Sequence, residues 1–139
     1  MPAPTVVRRE EVLPLRDAHD VMRARRRVRD LSTELSFSLV AQTKLVTATS
    51  ELSRNCIVYG GGGEMIVQQV AGDRGTGLRL GFRDNGPGIP DQDLALTDGW
   101  TSGGGLGLGL PGARRLMHEF ELDTAVGAGT TVTITLWMS

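Results

Sequence analysis

Hydrophobic and polar positions change period several times along the chain, and each change predicts an element. Residues 5–15 alternate imperfectly, with Val7, Val12, Leu13 and Leu15 apolar, and predict an edge strand. Asp17 then has the character of an N-cap, and Ala18, Val21, Met22, Val28, Leu31 and Leu35 recur at helical spacing, which predicts a helix reaching about residue 35. A second helix is predicted over 38–59, with Leu39, Leu45, Val46, Leu52 and Cys56 among its apolar positions, and the glycine run 60–63 ends it. Residues 65–70 and 78–82 read as neighbouring strands joined through the glycine-rich segment 72–77. A polar stretch, 91–100, precedes a glycine cluster that runs into a short helix over 110–117, where Pro111 is acceptable in the first turn. Two more strands are predicted over 122–126 and 131–137, linked by Gly127-Ala128-Gly129. In the last, Val132, Ile134 and Leu136 alternate with Thr131, Thr133 and Thr135, the pattern of a sheet with one buried face. This order implies an α+β fold: a two-layer sandwich whose mixed, mostly antiparallel sheet carries its helices on one face.

Length and charge narrow the picture. The 139 residues suit a single domain over 1–139 that buries about two-thirds of its unfolded surface. A formal charge of −1 gives no general attraction to nucleic acid or membrane, and neither is an expected partner. The first predicted helix nevertheless gathers Arg23, Arg25, Arg26, Arg27 and Arg29. They form either a solvated helix face or a docking surface for an acidic partner protein. One cysteine, Cys56, excludes an internal disulfide and suits a reducing, cytoplasmic setting. No apolar run approaches a membrane span, and the N-terminus lacks the apolar core of a signal peptide. His118, beside Glu119, reads as a surface or helix-end residue and not as a phospho-acceptor or metal ligand.

The chemistry concentrates in glycine. Asp84-Asn85-Gly86-Pro87-Gly88 follows an apolar run, so the carboxylate sits where a strand gives way to a loop, and Gly86 and Gly88 let backbone approach a flat ring. Seven of the 19 glycines fall between Gly99 and Gly112, so the second cluster is local design. A glycine-rich loop feeding a helix N-terminus presents N–H groups and positive dipole to an anion, here a polyphosphate. A Walker loop is excluded because no lysine lies near Gly109, and a Rossmann fingerprint is excluded because the acid precedes the glycines. Upstream, Glu51 and Asn55 stand at i and i+4 on one helical face. A carboxylate and an amide oxygen side by side suit a hard cation and a water or hydroxyl. Alone, such a pair is common on exposed helices. Its order with the two glycine clusters is not.

These three segments together resemble the GHKL (Bergerat) ATPase family, which joins gyrase, Hsp90, histidine kinases and MutL. Asp84, Gly86 and Gly88 match the first glycine box; Gly105, Gly107 and Gly109 match the second; Glu51 and Asn55 match the N box. The resemblance implies ATP and Mg²⁺ as cofactors. It implies Asp84 on the adenine amine, Thr130 helping to bind adenine, and Asn55 as the Mg²⁺ ligand. Glu51 would be the general base, and backbone from Gly103, Gly104, Gly105, Leu106, Gly107, Leu108 and Gly109 would surround the phosphates. Residues 91–100 would belong to an ATP lid, with Trp100, Thr101 and Ser102 ordering over nucleotide, although Trp100 reads equally as a packing residue at the lid's root. The chain shows neither the phospho-acceptor helix pair of histidine kinases nor a gyrase-like transducer. It is most similar to the bacterial anti-sigma regulatory serine/threonine kinases of partner switching, in particular the switch kinases of stressosomes. That implies a STAS-domain antagonist as substrate, a downstream phosphatase or other effector as second partner, and a monomer. The competing expectation is a binding module that sequesters a sigma factor; a plain ATPase is a third.

Overall fold

Alternation in the two central strands sets the architecture. The computed structural model describes residues 4–89 and 109–138. Within these, β1 (Val6–Leu15) is followed by α1 (Ala18–Glu34), α2 (Leu39–Val58), β2 (Gly63–Gly72), β3 (Gly75–Asp84), α3 (Gly109–Leu116), β4 (Glu119–Thr124) and β5 (Thr130–Trp137). The strands form one sheet in the order β1-β2-β3-β5-β4, with β1 at an edge as expected. All four pairings are antiparallel, so the expected mixed sheet is wholly antiparallel among the described residues.

Met65 and Val67 on β2, Leu78, Leu80 and Phe82 on β3, and Val132, Ile134 and Leu136 on β5 point to one side and are buried. They meet Val28 and Leu31 of α1, Leu45 and Leu52 of α2, and Leu110 and Ala113 of α3 in one core. Each fully buried Leu, Val or Phe contributes about 1.5–3 kcal/mol, which is what holds the helices to that face. The opposite face is polar and self-paired. Arg83 pairs with Glu64, Arg79 with Glu119 and with the Thr135 hydroxyl, and Gln68 with Glu10. Thr135, expected on the open side, is nonetheless buried there, as is Trp137, whose ring lies where a Cβ on Gly77 would stand.

Several expected boundaries move for identifiable reasons. β2 and β3 run closer together than the predicted 72–77 connection allowed, because Asp73-Arg74 make a two-residue turn closed by Gly75 at φ +85°. β4 is Glu119–Thr124 and not 122–126: Phe120 and Leu122 pair with Ile134 and Val132, while Val126 is exposed in the following turn. On α1, Asp17 is the N-cap as expected. Ala18 and Met22, however, face outward, and Asp20 and Ala24 take the inner positions. Burying a carboxylate is tolerated because Arg16 gives Asp20 its backbone N–H and guanidinium and Arg23 adds a third group. On α2, Ser38 caps the helix, but Leu39 is 77% exposed and the buried positions begin only at Leu45. Between the helices, Ser36 sits at φ +65° in the position a glycine usually takes, with Phe37 N–H bonded to Ser32 O at 2.9 Å and Ser36 N–H to Thr33 O. No helix of the described residues is long and apolar enough to cross a membrane.

Candidate nucleotide-binding site

Strand register builds a row of side chains at one end of the sheet. Asp84, the last residue of β3, is paired with Gly63 on β2 and with Thr130 on β5, and Thr130 is paired with Thr124 on β4. Paired residues in an antiparallel sheet point to the same face. Asp84 follows Leu78, Leu80 and Phe82 on the helix side, so the row lies under the helices. The β3–β5 register thus sets Asp84 beside Thr130, 46 positions apart in sequence.

Glycine makes this corner possible by letting backbone meet backbone. A Cβ on Gly60 would lie 2.3 Å from Asp84 Cγ, and one on Gly86 would lie 2.6 Å from Gly60 Cα. The end of α2 therefore rests directly on the carboxylate and on the loop after it. Gly86 N–H donates to Asp84 Oδ1 at 2.9 Å and orients it. Beyond, the loop is fastened to the β4–β5 turn: Gly127 N–H donates to Pro87 O at 2.8 Å, and Ile89 N–H donates to Thr124 Oγ1 at 2.9 Å. Gly88, at φ +78°, packs so that a Cβ would strike Ala125 O, and Gly129, at φ +80°, packs on Asp84 O in the same way. The glycines of the first box thus have a packing reason in addition to the expected approach to a ring. In the sequence Gly60 reads only as part of a helix stop; its place in the site comes from this close backbone approach.

Cys56, on the inner side of α2, stands close to this corner. Burial pushes its thiol up to about 12, with the Asp84 carboxylate adding to the effect, so it remains neutral beside the acid. About 100° around the helix from Cys56, Glu51 and Asn55 are half-buried on a common face, as their spacing required. Neither side chain is bonded to another group among the described residues. Gly109 begins α3, whose Leu110 and Ala113 are buried in the core shared with α2. Gly103, Gly104, Gly105, Leu106, Gly107 and Leu108, with the lid segment 91–100 and Trp100, Thr101 and Ser102, lie outside the described residues. His118 is at the helix end as expected. There it has a structural role, its Nδ1 accepting the Trp137 N–H at 2.9 Å.

The donor set can be tested against a metal. No three His, Cys, Asp or Glu side chains gather among the described residues, as a dedicated protein cage would need. A single amide oxygen from Asn55 fits instead an ion such as Mg²⁺, which takes most of its ligands from phosphate and water.

An antiparallel sheet under helices, an acid at a strand end and an amide on the helix above it define a nucleotide-binding ATPase domain. Residues 40–139 match the family described as histidine kinase-, DNA gyrase B-, and HSP90-like ATPase, and the chain belongs to that family. Family membership implies ATP use. The chain is 45% identical, over 120 residues, to the serine/threonine-protein kinase RsbT of Bacillus subtilis (strain 168), a match covering 86% of this chain and 90% of RsbT. That identity supports the expected enzyme class, a protein serine/threonine kinase. Among solved structures, the RsbU and RsbW domains of a Mycobacterium tuberculosis protein superpose with a TM-score of 0.64 at 19% identity. The match covers 97% of this chain and 32% of that one, and it shows the shared fold.

Proposed function

We propose that the chain is a partner-switching kinase that transfers the γ-phosphoryl group of ATP to a serine or threonine of a STAS-domain antagonist, and that it engages a downstream effector once released. The observation that carries this reading is the convergence of α2, the β3 end and the start of β5 on Asp84, within a chain so similar to a serine/threonine kinase. In this reading Asp84 accepts a hydrogen bond from the adenine amine, worth about 1.5–3 kcal/mol for a charged acceptor. Asn55 would hold Mg²⁺, which when bound neutralises the phosphates. Backbone from Gly103 to Gly109 would surround them. The partner hydroxyl oxygen attacks the γ-phosphorus, its proton passes to the Glu51 carboxylate, and the bond to the bridging oxygen breaks to leave ADP. General-base assistance of this kind contributes about 10²–10⁴-fold.

The outward face of α1 supports a protein partner. Met22 is 62% exposed there, and Arg25, Arg26 and Arg29 surround it without a paired carboxylate among the described residues. An acidic surface would complement it. The alternative reading, sequestration of a sigma factor without phosphotransfer, draws on the same surface.

The test combines [γ-³²P]ATP, Mg²⁺ and a STAS-domain partner, with Glu51→Ala and Asp84→Asn as controls. Label on a partner serine or threonine, lost in both variants, is the expected result. A stable complex that never acquires label would shift the reading to sequestration. Nucleotide binding unchanged in Asp84→Asn would remove the site assignment.

A further inference from the structure

The outer side of α2 carries apolar surface that the packing of the fold does not use. Val40, Lys44, Thr47, Glu51 and Val58 follow one another at steps of three, four or seven residues. At 100° per residue each lies within about 40° of Glu51, so they form one stripe, turned away from the buried Leu45, Leu52 and Cys56. Val40 is 66% exposed and Val58 58%, and Leu39 stands beside Val40 in the first turn. The helix itself has no use for them. A β-branched valine facing water is a poorer helix former than lysine, glutamate or alanine, and it leaves apolar area unburied. Lys44, one turn from Val40, is exposed and in no ion pair among the described residues; the same holds for Arg54, one turn beyond Glu51.

Glu51 decides what covers this stripe. In the kinase reading a partner hydroxyl delivers its proton to Glu51, so the protein bearing that hydroxyl lies over the middle of the stripe during transfer. A specific protein contact takes about 800 Å² from each partner, which is a disc of about 16 Å radius. At 1.5 Å per residue, Val40 is about 16 Å from Glu51 along the helix and Val58 about 10 Å in the other direction. A footprint centred on the base therefore reaches both valines. At the α2 start it meets an apolar patch, Leu39 and Val40, with the positive charge of Lys44 beside it.

We propose that Leu39, Val40 and Lys44 form a docking site for the folded protein that carries the acceptor hydroxyl, and that this protein meets them with an apolar patch and a neighbouring carboxylate. The inference rests on the kinase reading of Glu51. It goes further in placing affinity for the protein substrate on a surface, two to three helical turns from the base, that takes no part in phosphotransfer.

The test follows transfer from [γ-³²P]ATP to the intact STAS-domain partner over a range of partner concentrations, for the wild-type chain, Val40→Asp, Lys44→Glu and Val12→Asp. Val12 is another exposed valine, on the open face of the sheet, and serves as the control. Aspartate in the first turn suits the helix dipole, so Val40→Asp should melt no earlier than the wild type. KM for the partner should rise about tenfold in Val40→Asp and in Lys44→Glu, the scale of one interface side chain, with kcat changed by less than about twofold. Val12→Asp should keep the wild-type KM, and ADP affinity by calorimetry should be the same in all four proteins. A wild-type KM in both α2 variants would overturn the proposal and leave the kinase reading standing. A fall in ADP affinity alongside the rise in KM would move the effect into the nucleotide site and overturn it too. A wild-type chain that sediments as a dimer, and as a monomer in Val40→Asp, would give the patch to a second copy of the chain, with the same consequence. A partner that the wild-type chain never labels would overturn the reading of Glu51, and this inference with it.

Discussion

Replacing Gly60 by alanine separates the packing of the site from its chemistry. The added methyl would stand 2.3 Å from Asp84 Cγ, 2.4 Å from Asp84 Cβ and 2.7 Å from Asp84 Oδ2. Rotating the Asp84 side chain moves the carboxylate but not Cβ, so a new rotamer does not relieve the overlap and the backbone must give. Gly60 itself lies outside the left-handed region, so no strain arises from its own φ. Overpacking of this kind costs about 1–3 kcal/mol of stability. On the proposed contact of Asp84 with the base, displacing the carboxylate removes a charged hydrogen bond of about 1.5–3 kcal/mol, which is about 10- to 150-fold in nucleotide affinity. The matched control is Gly61→Ala. Gly61 is at φ +74° with nothing within 4 Å of an added Cβ, so its variant loses about 1–2 kcal/mol to strain without touching Asp84. Calorimetry with ADP and a thermal melt on both variants give the comparison: both melt earlier, and only Gly60→Ala loses affinity. A folded Gly60→Ala protein with wild-type affinity would refute the role given to this contact.

Three further outcomes follow from groups outside the site. Ser36→Gly removes left-handed strain at the α1–α2 junction and should add about 1 kcal/mol, raising Tm by about 3–5 °C; an unchanged melt would mean that serine is not strained there. The Asp20 carboxyl is held down to about 2, first by the hydrogen bond from Arg16, which outweighs burial, then by the Arg16 N–H and the charges of Arg16 and Arg23. Its contribution is present above the ordinary carboxylate range, near pH 4, and is lost as pH falls toward 2. In Asp20→Asn the acid limb of stability, followed by circular dichroism, should be flatter; an identical limb would refute the assignment. Burial lowers the His118 imidazole from its usual value, with Arg74 and Lys44 adding and Glu119 opposing. The neutral form is therefore the one that stabilises the fold by accepting the Trp137 N–H, so its contribution holds above about pH 6.5 and declines as pH falls below it. His118→Gln should melt with less dependence on pH between 7.5 and 5, and equal dependence would count against it.

Much of the fold was legible because its signals are local. Asp17 and Ser38 announce two helix starts, the glycine run after Tyr59 announces a stop, and threonine alternates with apolar residues from Thr131 to Leu136 in β5. The errors fall where tertiary contacts override the local pattern. Met22 matches the apolar period of α1 but lies on the outer face, while Asp20, which breaks the period, is inward because two arginines and a backbone N–H satisfy it. Val126 extends the apolar pattern of β4, yet the turn to Gly129 needs that residue outside the ladder.

The site divides along the same line. Glu51 and Asn55 are legible as a pair because a helix repeats, and Asp84 because a strand ends. Thr124 and Gly60 were not, because their meaning lies in strand register and in close backbone approach, and no residue spacing encodes either. Thr124 reaches Asp84 only through two ladder steps, β4 to β5 and β5 to β3. Gly60 reaches it through the angle at which α2 crosses the sheet. Chemical groups that touch a ligand are constrained in kind, so they form motifs. Groups that hold those groups are constrained in place, and the same threonine or glycine elsewhere would carry no signal. It follows that variants at Gly60 and Thr124 probe the geometry of this site more selectively than variants at the motif residues, which remove the chemistry and the geometry together.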